Sequence, residues 1–522
     1  MSLNNDKKNG PLVTVLIPTF NRPGCLSEAL ASALRQTYYN IEVIVINDGG
    51  QDVSDIVSSF GDRRLIFINR KENHGKAFSL NQAFARAGGK YIAYLDDDDL
   101  YYPDHIQTLV AALENETDCQ VAYSDFYKTC CRVSQDGGRQ VLSKVLEVSR
   151  DFDRFLMLYF NHVLHVCLMH RRDLLEKTGP YNENLNVLID WDITRRLAFF
   201  SDFHHIPKIT GEYYNPIGES DRISVQRRKD AKEYLKNVLA IRTTRPPKPW
   251  PKIADMSIIF APYNFDTQAA KTIGYIWRYT FFPYKLYLPL PQSDFARLNT
   301  AMPNIVFVPV NQSLSQIQRI DAALDLCDGE YVAIVPDGFP VKDFWMEGSL
   351  YALINSSVLR EGFYLEGSTD VLWAVVLKKA GLQYARKGFA NLSLQQSLKA
   401  AGITVKQPAI EQLPFQFDNL LQQARLAEKD GDWFQAAQMF EQVADRHQNR
   451  LWMKALAARA FFQAGNYARA AELASRLNQQ RPTVDTLLLE AKLNRQIKKF
   501  NPAIDLLKKA QRLLEGPELL WT

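Results

Sequence analysis

Cysteine is scarce. The 522 residues hold six, Cys25, Cys119, Cys130, Cys131, Cys167 and Cys327, with no CxxC spacing. That usage excludes a disulfide framework and the usual zinc spacings, and it fits a reducing compartment. Long apolar runs are also missing, and none approaches the roughly 20 residues a membrane span needs. The opening MSLNNDKKNG is polar and lacks the apolar core of a signal peptide. These absences predict a cytoplasmic protein, with peripheral association at the inner face of a membrane left open. Excess charge of one sign is lacking too. Lys and Arg number 62 against 58 Asp and Glu, a net of +4, too little for a nucleic-acid footprint. His162, His165 and His170 show no HxxxH-type zinc pattern and read as structural histidines. Length alone suggests about three domains.

What is present centres on Tyr91–Tyr102, YIAYLDDDDLYY. The apolar half fits a buried strand of a parallel sheet. Asp96, Asp97, Asp98 and Asp99 then fall at its carboxyl end, where open α/β sheets bind ligands. Four carboxylates there repel one another unless a cation sits among them, and hard oxygen ligands suit Mg²⁺ or Mn²⁺. The plainer alternative is a solvated acidic turn before a helix starting near Pro103. Earlier in the chain, Val13–Pro18, Ile41–Ile46 and Leu65–Asn69 read as strands. Pro23–Gln36 and about Gly75–Ala87 read as helices by their apolar spacing. Strand–helix alternation at this rhythm predicts a parallel sheet with right-handed crossovers. The Pro18–Thr19–Asn21 loop, Asp48 and the four aspartates then share one edge. Asp48 is either a turn residue or an acceptor for a base or ribose. Asn73, Gly75 and Lys76 open a helix whose N-terminus, with its lysine, suits a diphosphate.

VTVLIPTFNRP, then VINDGG, then NHGKAFSLNQAFARAGGKYIAYLDDDD resembles the nucleotide-binding half of a family 2 inverting glycosyltransferase with the GT-A fold. The resemblance runs in order over about the first hundred residues. It implies a nucleotide-diphosphate sugar donor, most simply UDP-linked, and a divalent metal. It places Pro18, Thr19, Asn21 and Asp48 around the nucleobase, with Asn73, Lys76, Asp96 and Asp97 also on the donor. The metal motif falls on Asp96 and Asp98, with Asp98 the direct ligand. Asn47 stands where the family often has a second acid.

Residues 119–215 are expected to build the acceptor side. Val121–Ser124 reads as a strand followed by Asp125, and Thr129–Lys144 as an irregular loop over the site. His162–Ala198 resembles the family segment that presents the catalytic base at a helix start. The family's Glu-Asp pair reads Ile189-Asp190 here, so the base is carried to Asp190, with Asp192 as runner-up. A positioned carboxylate there takes the proton of an attacking hydroxyl; otherwise it is a helix cap. Arg195 and Arg196 read as ion-paired rather than phosphate-binding. Tyr213–Ser224 resembles the family's lid.

Arg242–Lys252, RTTRPPKPWPK, reads as an extended connector. Beyond it, Gly329–Trp345 (GEYVAIVPDGFPVKDFW) aligns without a gap on Gly89–His105 (GKYIAYLDDDDLYYPDH), with Pro336 and Gly338 in place of Asp96 and Asp98. Residues 253–407 are therefore expected to be a degenerate second GT-A-like domain that braces the first or holds acceptor. From 415 the chain turns helical. Trp433, Tyr467 and Phe500 recur at spacings of 34 and 33, each with an alanine three residues on. That is the period of tetratricopeptide helical pairs, with the aromatics in the core and a face for a protein partner. The expected architecture is thus α/β: a catalytic GT-A domain over 1–250, the degenerate copy over 253–407 and repeats over 415–522. The expected function is metal-dependent, inverting sugar transfer to a hydroxyl of a glycan, lipid-linked or not, or of a protein. The rival reading is a non-catalytic nucleotide-sugar-binding scaffold.

Overall fold

A computed structural model describes residues 10–115, 118–133, 138–146, 149–217, 230–297, 303–358, 360–369, 373–408, 419–446 and 451–519. The chain forms two compact units. Unit 1 comprises Met1–Arg154, Asn161–Tyr234 and Asn419–Thr522; unit 2 comprises Phe155–Phe160 and Leu235–Asp418. The C-terminal helices thus fold as part of the same unit as the N-terminal sheet.

Unit 1 begins with β1 (Val13–Thr19), α1 (Pro23–Leu34), β2 (Ile41–Asn47), α2 (Ser54–Ser59), β3 (Leu65–Asn69), α3 (Lys76–Arg86) and β4 (Tyr91–Tyr94). There follow β5 (Leu100–Tyr101), α4 (His105–Asn115), β6 (Cys119–Val133), β7 (Arg139–Val145), α5 (Arg154–Tyr159), β8 (Leu168–Arg171), α6 (Asp173–Thr178), α7 (Ile189–Leu197), β9 (Asp202–Pro216) and α8 (Ala231–Thr243), of which α5 from Phe155 and α8 from Leu235 belong to unit 2. One sheet runs β3-β2-β1-β4-β8-β6-β9-β5, with β7 paired to β6. β1, β2, β3 and β4 are parallel, and β8 runs antiparallel to β4. Val13, Val15, Leu16 and Ile17 are fully buried. Burial on both faces explains the near-continuous apolar runs of the central strands. This is the mixed α/β arrangement with parallel central strands that the strand–helix rhythm predicts. At Gly89 a Cβ would stand 2.6 Å from the backbone nitrogen of Thr14. Only glycine lets the chain pass there, and its N–H donates to Thr14 Oγ1 at 3.0 Å.

Two expectations are corrected. Thr129–Lys144 is no irregular loop: β6 and β7 form an antiparallel ladder in which Thr129 pairs with Lys144, outside 134–137, which lie beyond the described residues. The ladder is tied down by Lys144, buried and paired at 2.7 Å with buried Glu212 on β9, a partner the local sequence does not reveal. Of the expected lid, Tyr213–Pro216 is the end of β9, and 218–224 lie outside the described residues.

Unit 2 holds β10 (Met256–Phe260), α9 (Thr267–Tyr279), β11 (Tyr284–Leu290), β12 (Ile305–Pro309), α10 (Gln316–Leu326), β13 (Tyr331–Val335), α11 (Glu347–Ile354), β14 (Glu361–Tyr364), β15 (Val375–Lys378), α12 (Lys379–Gly388), α13 (Leu394–Ala400) and β16 (Thr404–Lys406). Its sheet order is β12-β11-β10-β13-β15-β14-β16. The first four strands are parallel in the same order as β3-β2-β1-β4, and β15 is antiparallel to β13 as β8 is to β4. Local contacts repeat as well. Gly329 N–H donates to Ser257 Oγ at 3.1 Å, as Gly89 does to Thr14. Lys379 N–H donates to the Glu330 carbonyl at 2.8 Å, as Arg172 does to Lys90 at 2.9 Å. The edge after β10 is filled by buried Arg319, whose guanidinium donates to the carbonyls of Pro262, Tyr263 and Gln312.

The C-terminal helices are α14 (Asn419–Lys429), α15 (Trp433–Arg446), α16 (Leu451–Gln463), α17 (Tyr467–Gln480), α18 (Val484–Gln496) and α19 (Phe500–Leu519). Gly431 (φ 80°), Gly465 (φ 77°) and Lys498 (φ 59°) take the left-handed conformation in the turns before α15, α17 and α19. This is the usual helix stop, strain-free only for the glycines. Asp432 and Asn466 then cap the next helix by accepting from Gln435 N and Arg469 N. Ala436, Ala437, Phe440, Ala457, Ala470 and Ala474 form the core between helices. Trp433 packs against it. Tyr467, expected in the core, is exposed instead, as is Phe500. Tyr467 packs on Phe462 with ring centroids 5.5 Å apart. α18 and α19 lie against β7.

Candidate active site

The carboxyl ends of β1, β2 and β4 meet at one edge of the sheet in unit 1. Thr19, the last residue of β1, donates through Oγ1 to Asp97 Oδ2 at 2.7 Å. Arg22, at the start of α1, reaches Asp98 Oδ2 at 2.7 Å and Asp97 Oδ1 at 3.4 Å. Lys76, the first residue of α3, holds Asp96 Oδ1 at 2.5 Å. Burial works against the ammonium, yet Asp96 beside it, with Asp190 and Asp98 further off, holds its pKa above the ordinary value. Burial lifts the Asp97 carboxyl to about 6, opposed by Arg22.

The four aspartates therefore divide. Asp97 points inward to Thr19. Asp96, Asp98 and Asp99 each offer an oxygen within 4.8 Å of the others, a group able to hold a metal ion. Asp99, not singled out in the sequence, also accepts from Tyr214 N–H at 2.9 Å. Arg139 on β7 donates to the Asp98 carbonyl at 2.7 Å and lies 3.9 Å over the Tyr214 ring. Neither Arg22 nor Arg139 was marked in the sequence. Arg22 was legible in the FNRP motif, whereas Arg139 arrives from a hairpin 41 residues from Asp98.

The base side is more self-contained than expected. Asp48 Oδ1 accepts from Arg70 Nη1 and His74 N, both at 3.1 Å, and Oδ2 accepts from Gly75 N at 2.8 Å. Asp48 thus organises the loop that opens α3 and retains limited capacity for a ligand. Asn47 is committed to Gln51, Asn69 and Gly50. Asn21, at φ 58°, accepts from Gln51 N at 2.8 Å, and Asn73 accepts from Gly75 N at 3.1 Å. Pro18 lies within β1 opposite Ile46.

Asp190 and Asp192 lie in the first turn of α7 and behave differently. Leu188 precedes the helix at φ 63°, a conformation a branched side chain adopts only under constraint. Asp190 is half-buried, and its Oδ2 accepts from Asn161 Nδ2 at 3.0 Å. Burial raises its pKa, against the pull of Lys76 and Asn161, while Asp96 adds to the rise. Asp192 is 1% exposed and bound by Arg196 through Nη2 at 2.6 Å and Nε at 3.1 Å. It is a structural ion pair. Arg195 and Arg196 are buried, and Arg196 also donates to the carbonyls of Thr178 and Gly179. The histidines are structural too. His165 stacks on Tyr94 at 3.9 Å, and burial, then Lys76, takes its pKa to about 3. His170 bonds the Tyr94 hydroxyl at 2.7 Å, and burial takes it to about 4. His162 is buried away from the acidic group.

An acidic group, its flanking cations and the half-buried Asp190 at the start of α7 are the charged groups of this candidate site. Residues 14–178 match the family model for glycosyl transferase family 2. An uncharacterized glycosyltransferase of Rickettsia typhi is 32% identical over 190 residues, covering 35% of this chain and 57% of that protein. The PGL/p-HBAD biosynthesis glycosyltransferase of Mycobacterium bovis is 26% identical over 264 residues, covering 48% of this chain and 94% of that protein. The chain spans about 57% of the length of the relatives from Rickettsia typhi and Rickettsia prowazekii. Among solved structures, S. aureus TarS 1-349 in complex with UDP-GlcNAc superposes with a TM-score of 0.36 at 19% identity, covering 44% of this chain and 66% of that chain. Among the described residues no helix is long and apolar enough to cross a membrane.

Proposed function

We propose that unit 1 transfers a sugar from a nucleoside-diphosphate donor to an acceptor hydroxyl with inversion at the anomeric carbon. The observation that carries this is the pairing of one half-buried carboxylate, Asp190, with the Lys76–Asp96 edge of the acidic group. Asp190 is the general base: it receives the proton of the attacking hydroxyl, and its raised pKa suits that task. Thr19, Lys76 and the α3 N-terminus line the donor side, where the helix end and the ammonium favour a diphosphate. With Asp190 as base, the acceptor hydroxyl attacks the anomeric carbon in one displacement, which gives inversion. Asp96 and Asp98, joined by Asp99, fit Mg²⁺ or Mn²⁺ in donor set and spacing. Such an ion, when bound, supplies charge neutralisation for the leaving diphosphate. The TarS complex with UDP-GlcNAc supports a UDP-sugar as the first donor to try.

The remaining assignments are part of the same reading. The acceptor is a glycan, lipid-linked or free, or a protein hydroxyl. Unit 2 is a degenerate copy, since Pro336-Asp337-Gly338 follows β13 where the acidic group follows β4. The C-terminal helices are tetratricopeptide-like pairs able to hold a protein partner. The test is titration of the purified chain with a panel of nucleotides and nucleotide sugars, with Mn²⁺ and with EDTA. Metal-dependent binding of one nucleoside diphosphate is expected; binding of none refutes the reading.

A further inference from the structure

Asp190 does not stand alone. Asn161, on the segment before β8, turns its amide toward that carboxylate, and the orientation is not free to flip. The Val163 N–H can only donate, and it points at Asn161 Oδ1 at 3.3 Å. The Thr194 hydroxyl lies 3.4 Å from the same oxygen and donates to the Asp190 carbonyl at 2.8 Å. Asn161 Nδ2 is thereby aimed at Asp190 Oδ2 at 3.0 Å. Asn161 thus holds Oδ2 of Asp190, and Lys76 acts on the same carboxylate through its charge.

We propose that Asn161 is the positioning residue of the general base: it fixes the Asp190 rotamer and favours its ionised form. The proposal rests on the transfer reading of this site. A hydrogen bond donated to a carboxylate favours the charged state. Lys76 from α3 acts in the same sense, whereas burial and Asp96, from the end of β4, act against it. Tyr181 also faces this region and stays neutral, because burial carries its pKa well above the ordinary value. Asn161 is thus a donor to Asp190 that carries no charge and cannot titrate. Nothing in the local sequence marks it, because it lies 29 residues from Asp190.

The experiment follows UDP release, with water taking the sugar in place of an acceptor hydroxyl, from UDP-glucose, UDP-galactose and UDP-N-acetylglucosamine by the full chain with Mn²⁺, between pH 4.5 and 9. Wild type, Asn161→Ala, Asn161→Asp and Asp190→Asn are compared, and UDP binding by each is measured calorimetrically. Asp190→Asn should be inactive while binding UDP. Asn161→Ala should move the acid limb of the rate profile up by about one pH unit, a roughly tenfold loss below the midpoint that closes above it. Asn161→Asp keeps an acceptor for Val163 N–H and should move the limb further, because it adds like charge. An unmoved limb, with loss spread evenly over pH or with UDP binding lost, overturns the positioning role. Release by Asp190→Asn at the wild-type rate, or no release by the wild type from any of the three sugars, instead overturns the transfer reading beneath it.

Discussion

Arg481, at the C-terminus of α17, forms an ion pair with Asp125 on β6 across 356 residues of sequence. Asp125 is 3% exposed and also accepts from His205 Nε2 at 3.0 Å and Ser149 Oγ at 2.9 Å. The helical stack is thus tied to the sheet by a buried carboxylate. Removing Arg481 takes a charged hydrogen bond from a carboxylate that keeps His205 and Ser149, which costs about 2 kcal/mol. Arg481→Ala should lower stability by that order in chemical denaturation of the full chain. Asp125→Asn should cost less, since its neutral amide still bonds Ser149. Equal stability of wild type and Arg481→Ala would show the contact to be idle.

His205 adds a pH dependence to the same junction. It lies between Asp125 and Asp151, and although burial opposes its charge, both carboxylates raise its pKa above 6.5. A raised folded pKa of a base contributes stability fully present below the unfolded value and lost as pH rises through the folded one. The stability difference between wild type and His205→Asn should therefore shrink as pH rises from 6 to 9. The lowered pKa values of His105, His165 and His170 act below pH 6.5, outside that window. A difference that grows with pH would contradict the assignment.

Asp190 and Asp192 should separate cleanly by assay. Asp190→Asn is expected to lose about 10²–10⁴-fold in turnover with stability nearly unchanged. Asp192→Asn should lose about 3 kcal/mol of stability, because Arg196 is left buried without its carboxylate, yet keep turnover where it remains folded. Turnover kinetics with thermal unfolding of both variants decide the matter.

Asp98→Ala should remove the metal response of donor binding. Calorimetric titration of UDP with Mn²⁺ and with EDTA should differ at least about tenfold for wild type and hardly at all for the variant. A full metal effect in Asp98→Ala would move the ion elsewhere.

The parallel half of the sheet was legible because burial on both faces writes itself as apolar runs such as IEVIVI. The tetra-aspartate edge was legible because four like charges at a strand end need a physical explanation. The β6–β7 hairpin was not, since its ladder depends on Lys144 finding Glu212 68 residues away. The base was assigned to Asp190 with Asp192 kept as runner-up, because the Arg196 partnership that closes off Asp192 is a matter of side-chain direction rather than spacing. Asn161 and Arg139 were invisible for the same reason: each reaches the site from another element. The exposure of Tyr467 shows the converse error, in which a correct period was read as burial.

Gly89 and Gly329 occupy matching crossings in the two units, and at each an added Cβ would strike backbone within 2.7 Å. Only the first of these crossings leads into an acidic group. Sequence tolerance in this chain should therefore follow two separate clocks. Both glycines are expected to resist substitution because backbone passes too close for a Cβ, while the residues just beyond them carry the acidic group in one unit and Pro336-Asp337-Gly338 in the other.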